Sequence, residues 1–123
     1  MMTSTQTDPS HSDCIFCKII NRQASAEVIY QDELVTAFEN IHPVTPVHIL
    51  IVPNQHITSV NDATPADESA LGRMITLAGR LAKERGIAQS GYRLVINTGK
   101  DGGQSVFHLH LHLIGGRHLG MQI

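Results

Sequence analysis

The chain has 123 residues, of which 41% are hydrophobic and 16% charged, which suits one compact domain and excludes a disordered, collagen-like or membrane-spanning chain. Its net charge of -2 and its lack of Trp argue against nucleic-acid binding by phosphate neutralisation or base stacking. Eight histidines are the unusual count, because histidine carries proton transfer, nucleophilic attack and metal ligation near neutral pH.

The composition of the N-terminal segment predicts a leader without helix or strand. Residues 1–13 are mostly polar with little to bury, so we expect them to be disordered, with His11 solvated, and one domain to follow over residues 14–123. The leader lacks the charged and apolar regions of a signal peptide, and Cys14 and Cys17 are too close in sequence to staple a secreted fold. We therefore expect a cytoplasmic protein with no membrane partner.

The first predicted elements are a short helix and three strands. With Asp13 as a plausible N-cap, the helix has apolar residues at helical spacing, namely Ile15, Phe16, Ile19 and Ile20. Residues 28–30 and 34–38 are β-type runs with a polar turn between them, which predicts a hairpin. Residues 48–52 are apolar in succession, which predicts a strand with both faces covered.

The longest predicted helix covers about residues 65–85. Thr64 suits the N-cap, Pro65 the first helical position and Gly86 the position after the end. The apolar stripe of this helix, which we assign to the core in preference to a dimer contact, comprises Leu71, Met74, Ile75, Ala78, Leu81 and Ala82. Further strands over residues 92–97 and 106–114 complete an α+β domain, with a largely antiparallel five-stranded sheet, one long helix and one short helix.

The last predicted strand alternates histidine with leucine. Successive side chains of a strand face opposite sides, so His108, His110 and His112 would share one face while the leucines enter the core. Neighbouring histidines would lie about 6.6 Å apart and the outer pair about 13 Å apart, so the three cannot all do the same job. A merely polar face would more naturally carry Thr, Lys or Glu, which favours a chemical role.

A glycine-rich loop over residues 97–105 precedes this strand. Glycines let the backbone approach a ligand closely, and consecutive N–H groups can form an anion nest, for which phosphate is the natural guest. A Gly-Gly pair alone is typical of ordinary turns. Beside the histidines, however, it favours phosphoryl or nucleotidyl transfer by an imidazole nucleophile, with neighbouring donors stabilising the transferred group.

Residues 108–114 read His-φ-His-φ-His-φ-φ, where φ is apolar, and on this signature the sequence resembles the histidine triad (HIT) superfamily. Residues 102–107 and 115–117 look like those of its Hint branch, the purine nucleoside phosphoramidases, and the resemblance extends from Ile15 over nearly the whole chain. It implies a HIT-like fold, a homodimer and a purine nucleotide substrate. The implied reaction cleaves the P–N bond of purine nucleoside 5′-phosphoramidates through a nucleotidyl-histidine intermediate.

The resemblance also implies roles for the catalytic residues. His110 is the implied nucleophile, and His48 would hydrogen-bond its other ring nitrogen and fix its tautomer. His112 would contact the phosphate. Ser105 would place its hydroxyl near the leaving amine and its backbone N–H toward the phosphate.

The implied nucleotide site has a phosphate side and an apolar purine slot. Asn97, Gly103 and Gln104 would lie on the phosphate side. The purine slot would comprise Ile15, Phe16, Ile19, Phe38 and Ile41. Asn40 departs from the family, whose members usually have an Asp there to accept from both ribose hydroxyls. Because Asn lacks that charge, either ribose binding is weaker or Glu39 assists.

The Cys-X-X-Cys pair, Cys14 and Cys17, is half of a tetrahedral zinc site. Many bacterial members of the superfamily complete such a site with two histidines, which implies His56 and His108 here. Zinc held by four protein ligands would be structural, because no position remains for an activated water. The alternative is a pair of small buried residues with free thiols. We expect no catalytic metal or organic cofactor, and His42 and His118 match no role.

Three other functions stay open at the level of sequence. One is hydrolysis of dinucleoside polyphosphates, which uses the same nucleophile within the superfamily. Another is a metallohydrolase in which His108 and His110 hold a catalytic ion. The third is a nucleotide-binding interaction protein with vestigial chemistry.

Overall fold

The computed structural model describes residues 13–121. Of the predicted leader only Asp13 falls in that range, so the rest of the leader, including His11, lies outside the described residues. Helix α1 spans Ile15–Ile20 and helix α2 spans Glu68–Glu84, after two short 3-10 helices at Val60–Asp62 and Pro65–Asp67. The strands are β1 (Val28–Gln31), β2 (Val35–Glu39), β3 (Val47–Pro53), β4 (Tyr92–Val95) and β5 (Leu111–Gly115).

Over the described range these strands form one antiparallel sheet in the order β1-β2-β3-β5-β4, which confirms the predicted α+β architecture. Strand β3 is buried along its whole length, as its continuous apolar run predicted. Its residues alternate between two layers. Ile49 and Ile51 pack in the main core with α2, whereas Leu50 and Val52 pack in a smaller cluster with α1. Neither helix is long and apolar enough to cross a membrane.

Helix α2 ends close to the predicted residue but begins at Glu68 and not at about residue 65, because Thr64 and Pro65 cap and start the short 3-10 helix before it. The backbone N–H of Thr64 donates to the Asp67 carboxylate at 2.9 Å, and Gly86 follows the helix with a φ of 74°. The predicted stripe is wrong by one residue: Ile75 is 49% exposed, while Leu77, which the stripe omitted, is buried. The buried face of the helix is therefore rotated slightly from the one that the spacing predicted.

The last strand is shorter than predicted, because β5 begins only at Leu111. The backbone N–H of Leu109 donates to the Ile57 carbonyl at 2.7 Å, so the chain pairs with the segment after β3 before it enters the sheet. Of the three triad histidines only His112 lies in the strand, and their expected position on one strand face was wrong. The three leucines are nevertheless fully buried in the main core, as predicted.

Helix α1 is a six-residue helix on the other face of the sheet. Its N-cap is Cys14, not the predicted Asp13, and the Cys14 Sγ accepts from the backbone N–H of Cys17 at 3.4 Å. Phe16 and Ile19 pack against Phe38 of β2 and Leu50 of β3. These contacts place α1 beside the triad histidines.

Candidate active site

A cavity of about 350 Å³ opens between helix α1, the loop after β2 and the triad. Nine of the predicted site residues line it: Ile15, Phe16, Ile19, Phe38, Asn40, Ile41, Ser105, His110 and His112. Glu39, which was expected only as an alternative aid to ribose binding, also lines it, and the remaining lining residues had no expected role there: Ser25, Ala26, His42, Leu50 and Val106. Most of these carry no motif, although Leu50 follows from strand alternation, because it shares a face of β3 with His48.

The tautomer of His110 is set by the backbone. Its Nδ1 lies 2.7 Å from the carbonyl oxygen of His108, and because a carbonyl oxygen only accepts, that nitrogen carries the proton. The other nitrogen, Nε2, then keeps its lone pair. Burial lowers the pKa of His110 below its usual value, although the bond to His108 opposes the shift. The ring is therefore neutral at pH 7 and has a nucleophilic nitrogen.

His48 contacts His112 rather than His110. The backbone N–H of Val44 donates to Nδ1 of His48 at 3.1 Å, so the proton of the neutral ring lies on Nε2. That Nε2 is 2.9 Å from Nδ1 of His112. The predicted bond from His48 to the nucleophile was wrong, because the His108 carbonyl already holds Nδ1 of His110 and the sheet register makes His48 and His112 diagonal neighbours.

These hydrogen bonds form a directed chain from the backbone into the cavity. Because Nδ1 of His112 accepts from His48, the proton of neutral His112 lies on its Nε2, where it can be donated to a ligand. Burial, together with the nearby His110 and His48, lowers the pKa of His112 to about 4. Burial lowers the pKa of His48 as well. All three rings are therefore neutral at neutral pH.

Asn40 has local partners at both ends of its amide. Its Oδ1 accepts from the backbone N–H of His42 at 2.9 Å, and its Nδ2 lies 3.2 Å from Nε2 of His48. With the tautomer that Val44 imposes, two N–H groups meet at the second contact, so it adds no hydrogen bond. A carboxylate in this place could accept from the His42 N–H and would compete with His112 for the single Nε2 proton of His48. The carboxylate of Glu39 is already paired with Arg85.

Two side chains of the glycine-rich loop donate to backbone carbonyls. Gln104 is buried, and its Nε2 donates to the carbonyls of Thr58 and Val106 at 2.7 and 3.1 Å. The side chain of Asn97 donates to the Gly102 carbonyl at 2.8 Å. These groups hold the loop in shape, and neither side chain lines the cavity. Their expected role beside the phosphate stays a prediction, and for Gln104 it is opposed by the two carbonyls that take both of its amide N–H groups.

Three backbone N–H groups of this loop are already engaged in hydrogen bonds within it, so they do not contribute to the expected anion nest. The backbone N–H groups of Gly103 and Gln104 donate to the carbonyls of Lys100 and Gly99, both at 3.0 Å. The N–H of Gly99 donates to the Gln104 side chain at 2.9 Å. Gly103 itself lies outside the cavity lining, so of the predicted phosphate-side loop residues only Ser105 faces the cavity.

Four side chains beside the cavity form a candidate metal site, as the sequence predicted. The ligand atoms of Cys14, Cys17, His56 and His108 all lie within 4.8 Å of one another. The Sγ of Cys14 is 3.3 Å from Nδ1 of His108, and the Sγ of Cys17 is 3.3 Å from Nδ1 of His56. Two thiols and two imidazoles are a donor set that suits a tetrahedral metal ion. We call these four residues the Cys/His cluster.

The orientation of His108 fits a metal ligand. Its Nε2 lies 2.9 Å from the Pro53 carbonyl, which only accepts, so Nε2 carries the proton and the lone pair of Nδ1 is directed to the thiols. Burial, with a contribution from Cys14, raises the pKa of the Cys17 thiol to about 12, so a thiolate there needs a cation beside it. Both nitrogens of His108 face groups other than His110, which argues against the ion-binding pair of the metallohydrolase alternative.

Known proteins share both the sequence and the fold of this chain. The family model of the HIT domain matches residues 21–119. The purine nucleoside phosphoramidase of Escherichia coli (strain K12) is 55% identical to this chain and covers 88% of it, over 91% of its own length. Among solved structures, a HIT family hydrolase from Clostridium thermocellum has a TM-score of 0.87 at 43% identity, covering 90% of this chain and 96% of its own.

A second solved structure bears on the Cys/His cluster. It is a Zn-bound histidine triad family protein from Mycobacterium smegmatis, with a TM-score of 0.76 at 34% identity over 87% of this chain and 77% of its own. Family match, sequence identity and fold agree with one another and with the triad signature. The chain belongs to the HIT domain family.

Proposed function

We propose that the protein is a hydrolase that cleaves the P–N bond of purine nucleoside 5′-phosphoramidates through a nucleotidyl-histidine intermediate. The observation that carries this proposal is the bond from Nδ1 of His110 to the His108 carbonyl, which leaves Nε2 as the nucleophilic nitrogen beside the cavity. The E. coli relative, named for the same activity, supports the choice of substrate. Dinucleoside polyphosphates remain the competing substrate class, and no contact described above favours them.

The reaction proceeds in two steps. Nε2 of His110 attacks phosphorus, the bond between phosphorus and the amine breaks, and the leaving nitrogen takes a proton from solvent, which reaches the exposed Ser105. The ring then carries a positive charge, which the His108 carbonyl stabilises through Nδ1–H. Water next attacks phosphorus, the N–P bond breaks, one proton returns to solvent, and the nucleoside monophosphate leaves.

The other histidines hold the phosphoryl group in place. His112 presents its Nε2–H to the cavity because His48 and the Val44 backbone fix its tautomer. A neutral donor suits this position, since a cationic ring would need to be solvated in a half-buried site. His48 is therefore a positioning residue that acts through His112.

The nucleoside would occupy the apolar part of the cavity. Phe16 and Phe38 meet edge to face, with ring centroids 5.4 Å apart, and with Leu50 they form its floor. An apolar slot of this kind accepts a purine with few polar contacts. Asn40 is the candidate ribose contact, and since its Oδ1 already accepts from His42, it offers the ribose less than a carboxylate would.

Replacing His110 tests the nucleophile. We expect His110→Ala to lower kcat for an adenosine 5′-phosphoramidate by at least about 10³-fold, because no other nucleophile is placed to replace Nε2. Chromatographic assay of released adenosine monophosphate measures the rate, and His118→Ala, at an exposed histidine, is the matched control. Full turnover by His110→Ala would refute the mechanism. Faster cleavage of a diadenosine polyphosphate by the parent protein would favour the competing substrate class.

The buried histidines predict acid sensitivity. Their pKa values in the folded chain lie below the ordinary 6.5, that of His112 at about 4, so the unfolded chain binds more protons. Above pH 6.5 the rings are neutral in both states and the free energy of unfolding has its full value, which decreases as the pH falls toward 4. We expect His112→Gln to make the free energy of unfolding less dependent on pH in this window, by about 1 kcal/mol per pH unit.

Denaturant titrations at several pH values measure this dependence, and exposed His118→Gln is the control that should follow the parent. An equally steep decline in His112→Gln would show that His112 does not contribute to it.

We propose that the Cys/His cluster holds one structural zinc ion. The supporting observations are the two-sulfur, two-nitrogen donor set and the orientation that the Pro53 carbonyl gives to His108. When bound, zinc would cross-link helix α1 to the segments before β5 and after β3, and its four protein ligands would leave no position for an activated water.

Elemental analysis of the purified chain should give one zinc per chain, and Cys17→Ser should give much less. His110→Ala should keep the full zinc content, because His110 is not a ligand. Zinc loss in His110→Ala would favour the metallohydrolase in which His108 and His110 share an ion.

We propose that the chain forms a homodimer through β4 and the neighbouring surface of α2. Strand β4 pairs only with β5 in the described part of the sheet, so it lies at an edge of that sheet. Ile75 of α2, Tyr92 of β4 and the adjoining Ile96 add exposed apolar surface. Such edges and patches typically mark an interface.

Light scattering coupled to size-exclusion chromatography should give twice the chain mass for the parent. Ile75→Arg should shift it toward the monomer, because the interface would bury an unpaired charge. Val60→Arg makes the same change at an exposed apolar residue that belongs to neither α2 nor β4, and should stay dimeric. A monomeric parent protein would refute the proposal.

A further inference from the structure

Helix α1 is too short to be stable without its contacts. It has six residues, whereas isolated helices shorter than about 12 residues are marginal in water. One set of contacts is the small apolar cluster that Phe16 and Ile19 form with the sheet. The other is the Cys/His cluster, since Cys14 is the N-cap of α1 and Cys17 lies in its first turn. The position of α1 therefore depends on both.

The same helix is one wall of the nucleotide cavity. Ile15, Phe16 and Ile19 line the cavity, and two of them stand between the two cysteines in sequence. The Phe16 ring meets the ring of His110 edge to face, with centroids 5.1 Å apart and an interplanar angle of 80°. A displacement of α1 would thus widen the purine slot and remove a ring that packs on the nucleophile.

His108 makes a second connection between the two sites. Its side chain belongs to the Cys/His cluster, while its backbone carbonyl accepts from Nδ1 of His110 at 2.7 Å. The side chain is completely buried and is held by Pro53 on its far nitrogen. Loss of the contact with the thiols would free this residue to shift, and with it the acceptor that fixes the His110 tautomer.

We propose that Cys14, Cys17, His56 and His108 are positioning residues of the nucleotide site. With metal bound, the cluster sets the affinity for nucleotide through α1 and the tautomer of His110 through the His108 carbonyl. The inference rests on the proposed function in taking the cavity as the nucleotide site. It does not require that the amine of a phosphoramidate be the natural leaving group.

The experiment compares four samples of the full chain: the zinc-loaded parent, the parent after removal of metal by a chelator, Cys17→Ser, and zinc-loaded Ile87→Val. The last removes a methyl group from the main core, on the α2 face, and controls for a general loss of stability. Calorimetry measures the Kd for adenosine monophosphate. Nitrogen-15 NMR of the histidine rings measures the tautomer of His110, and circular dichroism checks that each sample is folded.

We expect the metal-free parent and Cys17→Ser to bind adenosine monophosphate at least tenfold more weakly than the zinc-loaded parent. Their His110 nitrogen shifts should move from a single tautomer toward an average of two, and added zinc should restore the parent only. Ile87→Val should keep its Kd within twofold and a single tautomer. A general stabilising role for the metal would leave the Kd and the tautomer of a folded metal-free sample unchanged.

An unchanged Kd and tautomer in folded, metal-free parent would overturn the proposal. Loss of the whole sheet in both metal-free samples would also overturn it, because the cluster would then hold the fold and not one wall. A parent that binds adenosine monophosphate only weakly without metal, yet hydrolyses no phosphoramidate, would refute the proposed activity and support this inference. A zinc-loaded parent that binds no nucleotide would overturn both.

Discussion

The bond from His110 to the carbonyl of His108 is the interaction on which the chemistry of this site depends. It is made between a side chain and the backbone two residues earlier, at a distance of 2.7 Å. Because a carbonyl cannot donate, one nitrogen of the buried imidazole must hold its proton while the other stays available. No carboxylate is needed to orient the ring. The geometry that permits the bond exists only because the chain is irregular there and enters the sheet at Leu111.

The other histidines follow the same rule, in which backbone groups decide where each proton lies. Val44 donates to His48, and Pro53 accepts from His108. The result is three neutral rings and one ring, that of His108, whose Nδ1 faces the thiols of Cys14 and Cys17. None of these proton positions relies on a charged partner. Because the rings are neutral, they can be buried without carboxylates to compensate a positive charge.

The fold could be predicted from local patterns to a large extent. Continuous apolar residues identified β3, and Gly86 marked the end of the long helix, whereas Thr64 and Pro65 begin the short 3-10 helix that precedes it. The residues of the Cys/His cluster and the apolar lining of the cavity came from the family resemblance, and the structure brings each group together.

Patterns failed where one segment depends on a distant one. Alternation predicted a strand through His108 and His110, but Leu109 pairs with Ile57, and this long-range bond is not visible in the spacing. The Gln104 side chain, expected beside the phosphate, instead donates to the carbonyls of Thr58 and Val106, and spacing does not reveal the contact with Thr58. The partner of His48 likewise depended on the register of β3 against β5.

Strand β3 has a consequence for how such a protein can change over time. Its odd-numbered residues, such as Ile49 and Ile51, belong to the layer that holds the fold, and its even-numbered residues, such as His48 and Leu50, belong to the reactive layer. Odd and even positions of this single strand thus serve different purposes, packing of the main core and shaping of the cavity. A substitution at Leu50 would therefore change the cavity wall and the packing of α1, while the layer that packs on α2 is left intact.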